Sequence, residues 1–206
     1  MSKVAKTTVF EIIAGHPALD FVNTLDWRFR QGEPEELLNS YDDLLQLMEE
    51  SELLTAKEAR RLQRATAGSA GRQVLQQCIE LREALAQVFY AVLDEGSPDS
   101  APLKTLESYF KSARSHQKLR WKKTGLAWKW PELDADPEIP VWLLATSAAG
   151  LMLSDNAQKV RACNDPECRW LFLDTSKNHT RRWCDMKVCG NRMKARRFQA
   201  RQAANA

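Results

Sequence analysis

Four of the five cysteines lie close together in the last quarter of the 206-residue chain. Cys163 and Cys168 form one pair with four residues between them, and Cys184 and Cys189 form a second pair with the same spacing. Two such pairs, joined by a loop long enough for a hairpin, are typical of a chain that surrounds one tetrahedral Zn²⁺ ion. The sequence therefore predicts one structural zinc ion, because four protein ligands leave no position for a reactive water molecule.

The alternative for these four cysteines is a pair of disulfide bonds. The N-terminal segment MSKVAKTTVFEIIAG has a short apolar run and no small-residue cleavage site, which predicts no export. We therefore expect a cytoplasmic protein, in which thiols stay reduced and remain able to bind metal. The fifth cysteine, Cys78, lies on the apolar side of a predicted helix and is expected in the core.

The composition is that of a globular protein, with 44% hydrophobic and 28% charged residues. The longest uncharged stretch, Ile139 to Ser154, falls short of the roughly 18 apolar residues that a membrane span needs. It predicts a buried helix, and we expect no membrane partner.

Charge is divided unevenly along the chain. Residues 159–206 hold twelve of the 30 Lys and Arg residues and four of the 27 Asp and Glu residues, a net charge of +8. Residues 1–158 carry 18 basic and 23 acidic residues, a net charge of −5. A basic tail on an acidic body predicts a polyanionic partner for the tail, with a solvated charged terminus as the alternative.

The basic residues of the tail fall into three groups. On a helical wheel, Lys187, Gly190, Lys194, Arg197 and Arg201 share an arc of about 80°, and Gly190 would allow a backbone to approach or relieve crowding at the metal. Arg192 and Arg196 form a second pair, with salt bridges to the acidic body as the alternative. Arg181 and Arg182 lie close to the zinc ligand Cys184 in the sequence and would contact phosphates. Asn191 could reach base edges. The predicted nucleic-acid-binding residues are Arg181, Arg182, Lys187, Asn191, Arg192, Lys194, Arg196, Arg197 and Arg201.

The order of elements around the cysteines indicates a zinc finger. Cys163 to Cys168 reads as a knuckle, and Trp170 to Asp174 as a strand that returns through residues 181–183. Cys184 and Cys189 begin, or just precede, a helix that runs to about Ala203. This order is that of a treble-clef finger. Trp183 and Phe198 are expected to form its small core.

The remaining residues predict a mainly helical body. A strand is expected around residues 7–13, and helices over 17–30, 40–50, 55–67, 72–94 and 99–114. Trp121, Trp128 and Trp130 alternate with polar residues in a predicted β-hairpin, which is expected to pack and could pair with the first strand. The fold class is thus α+β, with a helical domain over 1–158 that holds a small antiparallel sheet and a finger over 159–206.

Three polar residues near the N-terminus are candidates for a small-molecule pocket. His16, Asp20 and Asn23 could point polar groups at an effector. The alternative is that they cap the start of the first helix.

Residues 163–201 resemble the CGNR zinc finger, named for the tetrapeptide that stands here as Cys189-Gly190-Asn191-Arg192. The resemblance rests on the four cysteines and on Phe172, Asp174, Ser176, Arg181-Arg182-Trp183 and Lys194. Residues 19–24 (LDFVNT) are similar to the opening of the ABATE domain, which precedes this finger in bacterial proteins described as stress-induced transcription regulators. The resemblance implies a regulator that binds DNA through its finger.

Two other functions use the same finger: an adaptor that docks an acidic protein, and an accessory factor that binds RNA. We expect no enzymatic activity, because no nucleophile, acid-base pair or phosphate loop stands out in the sequence. The body would sense an effector or mediate assembly, for example as a homodimer.

Overall fold

The computed structural model describes residues 10–32, 34–130 and 136–204. Within these ranges the helices are α1 (Pro17–Val22), α2 (Tyr41–Glu50), α3 (Ala56–Ala65), α4 (Gly68–Leu93), α5 (Ser100–Ser115), α6 (Ile139–Met152) and α7 (Asn191–Ala204). The strands are β1 (Leu25–Asp26), β2 (Glu35–Glu36), β3 (Lys118–Lys122), β4 (Gly125–Lys129), β5 (Val160–Ala162) and β6 (Leu171–Leu173). They pair as three antiparallel ladders, β1 with β2, β3 with β4, and β5 with β6. The predicted mainly helical α+β class is confirmed.

The main core lies where α4, α5 and α6 pack on one another, with α1 against α4 and α6. Helix α6 is apolar on nearly every side, and its Trp142, Leu144 and Ala148 are buried, so the prediction of a buried helix is confirmed. Cys78 lies in the same core, and burial raises the pKa of its thiol.

The starts of α2 and α3 are held by side-chain caps, as predicted. The Ser40 hydroxyl accepts a hydrogen bond from the backbone N–H of Asp43 at 3.1 Å. Thr55 and Glu58 form a complete capping box, in which each side chain accepts from the other residue's backbone N–H. The Thr55 hydroxyl and the Thr55 backbone N–H both donate to the Glu58 carboxylate and hold its pKa below its usual value.

Helix α1 is much shorter than the predicted helix over residues 17–30. It ends at Val22 because the next two side chains bond elsewhere: Thr24 donates to the carbonyl of Phe21, and Asn23 bonds to Leu171. Trp27 then adopts a left-handed backbone conformation, with φ of 51°, which no α-helix accommodates. The prediction of a helix to Arg30 is therefore wrong.

The predicted N-terminal strand is also not observed where the chain is described. Residues 10–13 form no strand, and the rest of that prediction, residues 7–9, lies outside the described residues. Among the described residues, the β3–β4 hairpin pairs only with itself.

The predicted Trp hairpin is confirmed, and its base packs on α6. Trp130 stacks beside Trp142 with ring centroids 6.4 Å apart, and His116 stacks on the same Trp142 ring at 3.7 Å. Trp121 and Trp128 are exposed, so the expectation that the whole hairpin packs is wrong.

The β5–β6 ladder joins the body to the cysteine-rich segment. Val160, Leu171 and Leu173 belong to the core of the body, whereas Trp170 and Phe172 pack around the cysteines. Asn23 accepts from the N–H of Leu171 and donates to its carbonyl, both at 2.9 Å. The two strands therefore serve two cores at once, and the domain boundary after residue 158 stays a prediction.

Candidate metal centre and nucleic-acid interface

The four predicted ligands come together in one buried cluster. The sulfur atoms of Cys163, Cys168, Cys184 and Cys189 all lie within 4.8 Å of one another, and none of these residues is in a disulfide. Cys184 Sγ is 3.6 Å from Cys168 Sγ and 3.6 Å from Cys189 Sγ. A tetrahedron with Zn–S bonds of about 2.3 Å has edges of about 3.8 Å. The four cysteines are thus positioned to bind one zinc ion.

The first ligand pair is held by a tight turn that closes the β5–β6 ladder. The N–H of Cys163 donates to the carbonyl of Trp170 at 2.8 Å, which continues the ladder towards the metal. The carbonyl of Asp165 accepts from the N–H of Cys168 at 3.1 Å and of Arg169 at 3.0 Å. The predicted knuckle is therefore present.

The second pair is presented by an irregular turn. Cys184 precedes a π-helical turn over Met186–Gly190, and Cys189 lies within it. The Asp185 side chain accepts from the N–H groups of Lys187 and Val188 and so caps this turn. Helix α7 begins only at Asn191.

The finger's hairpin differs from the predicted one. Strand β6 pairs with β5, which precedes the knuckle, and residues 181–183 form no strand. The knuckle itself brings residues 160–162 beside 171–173, so β6 already has its partner when the chain returns. The treble-clef assignment stays a prediction.

The finger has a small core of its own, as predicted, but Phe198 does not belong to it. Trp170 and Phe172 are buried against the cysteines, and Trp183 packs on them. Phe198 is 63% exposed on α7, so its predicted place in this core is wrong.

Asp174 fixes the loop that follows β6. Its carboxylate is fully buried and accepts from the N–H of Ser176 at 2.9 Å and of Arg181 at 3.0 Å. The hydrogen bonds from Ser176 hold the pKa of Asp174 below its usual value. Arg181 in turn donates to the carbonyls of Trp183 and Cys184 and lies over the Phe172 ring at 4.4 Å. Its guanidinium is thus engaged inside the finger.

Arg192 and Arg196 bind the acidic residues of the knuckle. Arg192 Nε lies 2.7 Å from the buried carboxylate of Asp165, and its Nη2 donates to Cys189 Sγ at 2.9 Å. Arg196 Nη2 lies 2.9 Å from Glu167 Oε2, and this bond lowers the pKa of Glu167. Salt bridges were the alternative for this pair, but the acids lie in the finger rather than in the body.

Arg192 also contacts the body. Its guanidinium lies 4.6 Å from the centroid of the Trp27 ring. A zinc ion bound by four thiolates is a net anion, so a guanidinium bonded to one of the sulfurs stabilises it. No sequence signal marked Asp165 for this role except that it is one of few acids in a basic segment.

The other predicted cations are exposed. Lys194, Arg197 and Arg201 share one face of α7 and make no ion pair or hydrogen bond with any residue that the structure describes. Lys187 lies in the π-helical turn, so the wheel at 100° per residue does not apply to it. The side-chain amide of Asn191 donates to the carbonyl of Lys187 at 3.0 Å.

A groove lies on the finger next to Lys187. It has a volume of about 790 Å³ and is lined by Ile13 and residues 180–187, including the exposed Arg182 and Lys187. Gly190 is buried next to it. A Cβ on Gly190 would lie 2.5 Å from Met186 Sδ and 3.2 Å from Trp183 Cδ1, so this glycine relieves crowding rather than admitting a backbone.

The three candidate pocket residues have partners within the chain. His16 caps α1 by accepting from the N–H of Ala18, and Asp20 Oδ1 accepts from the N–H groups of Ile13 and Ala14. The cavity bordered by Asp20 and Asn23 holds about 10 Å³, which admits a single water molecule. Only the His16 contact is the capping bond of the alternative, since Asp20 binds the loop before α1 and Asn23 binds Leu171. An effector-binding role for the three residues stays a prediction.

Asp20 makes the stability of the protein depend on pH. Burial raises its pKa to about 6, against the opposing effect of the two backbone N–H groups. In the unfolded chain the same carboxyl ionises near pH 4, at about the model-peptide value. Its contribution to stability is therefore fully present below pH 4 and is lost as the pH rises to about 6.

We expect Asp20→Asn to become more stable relative to wild type as the pH rises from 5 to 7.5, because asparagine keeps the Oδ1 acceptor and cannot ionise. The measurement is urea unfolding of both zinc-loaded proteins at the two pH values. A difference in unfolding free energy that is the same at both would contradict the assignment.

Two family matches cover most of the chain. Residues 15–155 match the ABATE family, whose description is "Putative stress-induced transcription regulator", and residues 159–202 match the CGNR zinc finger. No curated protein matches the chain in a sequence comparison. Among the described residues, no helix is both long and apolar enough to span a membrane.

Proposed function

Because the chain belongs to the ABATE family and carries a CGNR zinc finger, we propose that it is a transcription regulator that binds duplex DNA through the exposed cations of the finger. The observation that carries the proposal is that some of the finger's cations are bonded within the finger and others are exposed. Arg181, Arg192 and Arg196 are bonded inside the finger, whereas Lys194, Arg197 and Arg201 project together from α7.

The anchoring of α7 supports this proposal. The π-helical turn directly before α7 carries the ligand Cys189, and Arg192 and Arg196 in the first two turns of α7 bind the knuckle, so the exposed cations are presented on an anchored helix. An anchored helix loses little backbone conformational entropy when its cations contact phosphates. The acidic body, with its net charge of −5 over residues 1–158, would repel DNA and orient the finger towards it.

The test is the salt dependence of binding to a fluorescein-labelled duplex, followed by anisotropy between 50 and 200 mM salt. With about five phosphate contacts, the logarithm of the affinity should fall with the logarithm of the salt concentration at a slope of roughly −4 to −5. The triple variant Lys194→Gln/Arg197→Gln/Arg201→Gln should reduce this slope by about 3 in magnitude. Chelation of zinc should abolish binding, because the finger then unfolds.

The matched control removes the same charge from the body. Lys57, Arg60 and Arg64 are exposed on α3, and their replacement by glutamine should leave the slope unchanged. Equal effects of the two triple variants would indicate a nonspecific charge effect. An absence of DNA binding, together with a stoichiometric protein partner, would favour the adaptor function instead.

The body supplies the regulatory part of the proposal. The groove between α5 and α6, of about 970 Å³, is lined by Leu103, Phe110 and Met152 among others and has room for a small effector. We place the protein in the cytoplasm and assign it no catalytic step.

A further inference from the structure

The β3–β4 hairpin has an apolar face that the described part of the chain leaves exposed. Leu119 is opposite Trp128 and Trp121 is opposite Leu126, so these four side chains share one face of the ladder. All four are exposed: Leu119 by 51%, Trp128 by 50%, Trp121 by 77% and Leu126 by 63%. We call this surface the aromatic face.

The hairpin is also strongly basic. Residues 111–130 contain seven Lys and Arg residues and no Asp or Glu, whereas the other residues of the body carry eleven basic and 23 acidic residues. Lys118, Arg120, Lys122 and Lys129 alternate with the aromatic face, and the guanidinium of Arg114 lies 4.7 Å from the ring centroid of Trp128. The positive charge of the hairpin therefore opposes its pairing with the hairpin of a second copy of the chain.

We infer that the β3–β4 hairpin binds single-stranded nucleic acid, with bases stacked on Trp121 and Trp128. Phosphates would contact Arg114 beside Trp128 and the Lys and Arg side chains of the opposite face, which are long enough to reach round the edges of a two-stranded ladder. Flat rings next to positive charges are the combination that sequence-tolerant single-strand binding uses. Trp121 and Trp128 are diagonal neighbours across the ladder, with a separation of roughly 7–8 Å. This distance matches about two steps of 3.4 Å along a stacked strand.

The geometry disfavours two other occupants. In a duplex the faces of the bases are covered by their neighbours, so the Trp rings cannot stack on them. In a lipid surface, Arg114 would have to enter the apolar region together with Trp128. Stacking and phosphate contacts do not involve the sugar, so DNA and RNA strands are expected to bind alike.

The hairpin site is separate from the finger. Its base packs on Trp142 near the start of α6, whereas the finger follows the end of that helix, which is about 21 Å long. The inference therefore does not rest on DNA binding by the finger, and variants of the two sites can be tested independently.

The first experiment measures the anisotropy of labelled dT12 and U12 with the zinc-loaded full-length protein. Replacement of Trp121 or Trp128 by alanine should weaken binding by about 5- to 150-fold each, because each removes one stacked base. Both residues are exposed, so circular dichroism and the melting temperature should not change. The finger variant Lys194→Gln/Arg197→Gln/Arg201→Gln should keep its affinity for dT12.

A charge-matched pair tests the cations. Arg120→Gln/Lys122→Gln should weaken dT12 binding and make it less dependent on salt, whereas Lys57→Gln/Arg60→Gln on α3 should not. Equal effects of the two pairs would overturn the assignment of the cations to the site.

Tryptophan fluorescence separates nucleic acid from lipid. The difference between wild type and Trp121→Phe isolates the signal of Trp121, which stacking on a base should quench. Vesicles containing one third phosphatidylglycerol serve as the competing probe. A blue shift of the Trp121 fluorescence with vesicles, together with no quenching by dT12, would overturn the proposal. It would also be overturned if a duplex bound more tightly than dT12 and this binding required Trp121 and Trp128.

Discussion

Replacement of Cys168 by serine is expected to leave the purified protein without stoichiometric zinc and to unfold its C-terminal quarter. A structural zinc site contributes about 10–16 kcal/mol of apparent binding free energy near neutral pH, more than a finger of this size can replace. Without the metal, no other interaction replaces the four Zn–S bonds that would hold these sulfurs within 4.8 Å of one another.

The loss should extend into the body. Val160, Leu171 and Leu173 fill part of the body's core from the same ladder that carries the first ligand pair. We therefore expect one cooperative transition in the wild-type protein and a lower melting temperature for the body in the variant. Elemental analysis and differential scanning calorimetry measure both effects.

Cys78→Ala is the matched control, because Cys78 is buried in the body and lies outside the cluster. It should retain one zinc ion per chain. Zinc-free Cys168→Ser protein that melts like wild type would refute the structural role of the site.

Replacement of Arg82 by methionine is expected to destabilise the protein by about 3 kcal/mol, at the lower end of the range for a broken buried ion pair. Arg82 is 2% exposed on α4, and its guanidinium binds both carboxylate oxygens of Glu36, at 2.7 and 2.6 Å. It also donates to Glu83 at 2.9 Å and to Thr24 at 3.1 Å. Burial disfavours the charged form, but these carboxylates outweigh it and raise the pKa of Arg82.

The lower end of the range applies because the partners are less buried than Arg82. The side chains of Glu36 and Glu83 are 31% and 33% exposed, and Glu83 keeps a second partner in Arg28. Urea unfolding measures the change in free energy. Arg72→Met, at an exposed position of the same helix, should change it by less than about 0.5 kcal/mol.

A double variant tests whether Glu36 is the partner that matters. Glu36→Gln keeps an acceptor for the N–H of Leu38 and removes the charge left by Arg82→Met. The two effects should therefore be less than additive. Strict additivity would contradict the proposed pairing.

Features that depend on a few neighbouring residues could be predicted from the sequence. The zinc ligands come in two close pairs, and the caps at Ser40 and Thr55 are made within three residues. The buried helix at residues 139–152 follows from its continuous apolar character. In each case the determining contacts are local, so spacing alone specifies them.

Features that depend on distant residues could not be predicted. Helix α1 ends where Asn23 bonds to Leu171, 148 residues away in sequence. Arg82 reads as an ordinary cation on a helix until Glu36 is placed beside it. The sequence allowed salt bridges for Arg192 and Arg196 but could not show that their partner is Asp165, at the centre of the knuckle.

The shared β5–β6 ladder has a consequence for how the protein is made. A nascent chain that has emerged only to residue 158 lacks the strands that cover one wall of the helical core, as well as the backbone partner of Asn23. The helices can form, but the core closes only after the ribosome has released the last quarter of the chain. Truncated translation products should therefore remain accessible to proteases, and only the completed chain should escape degradation.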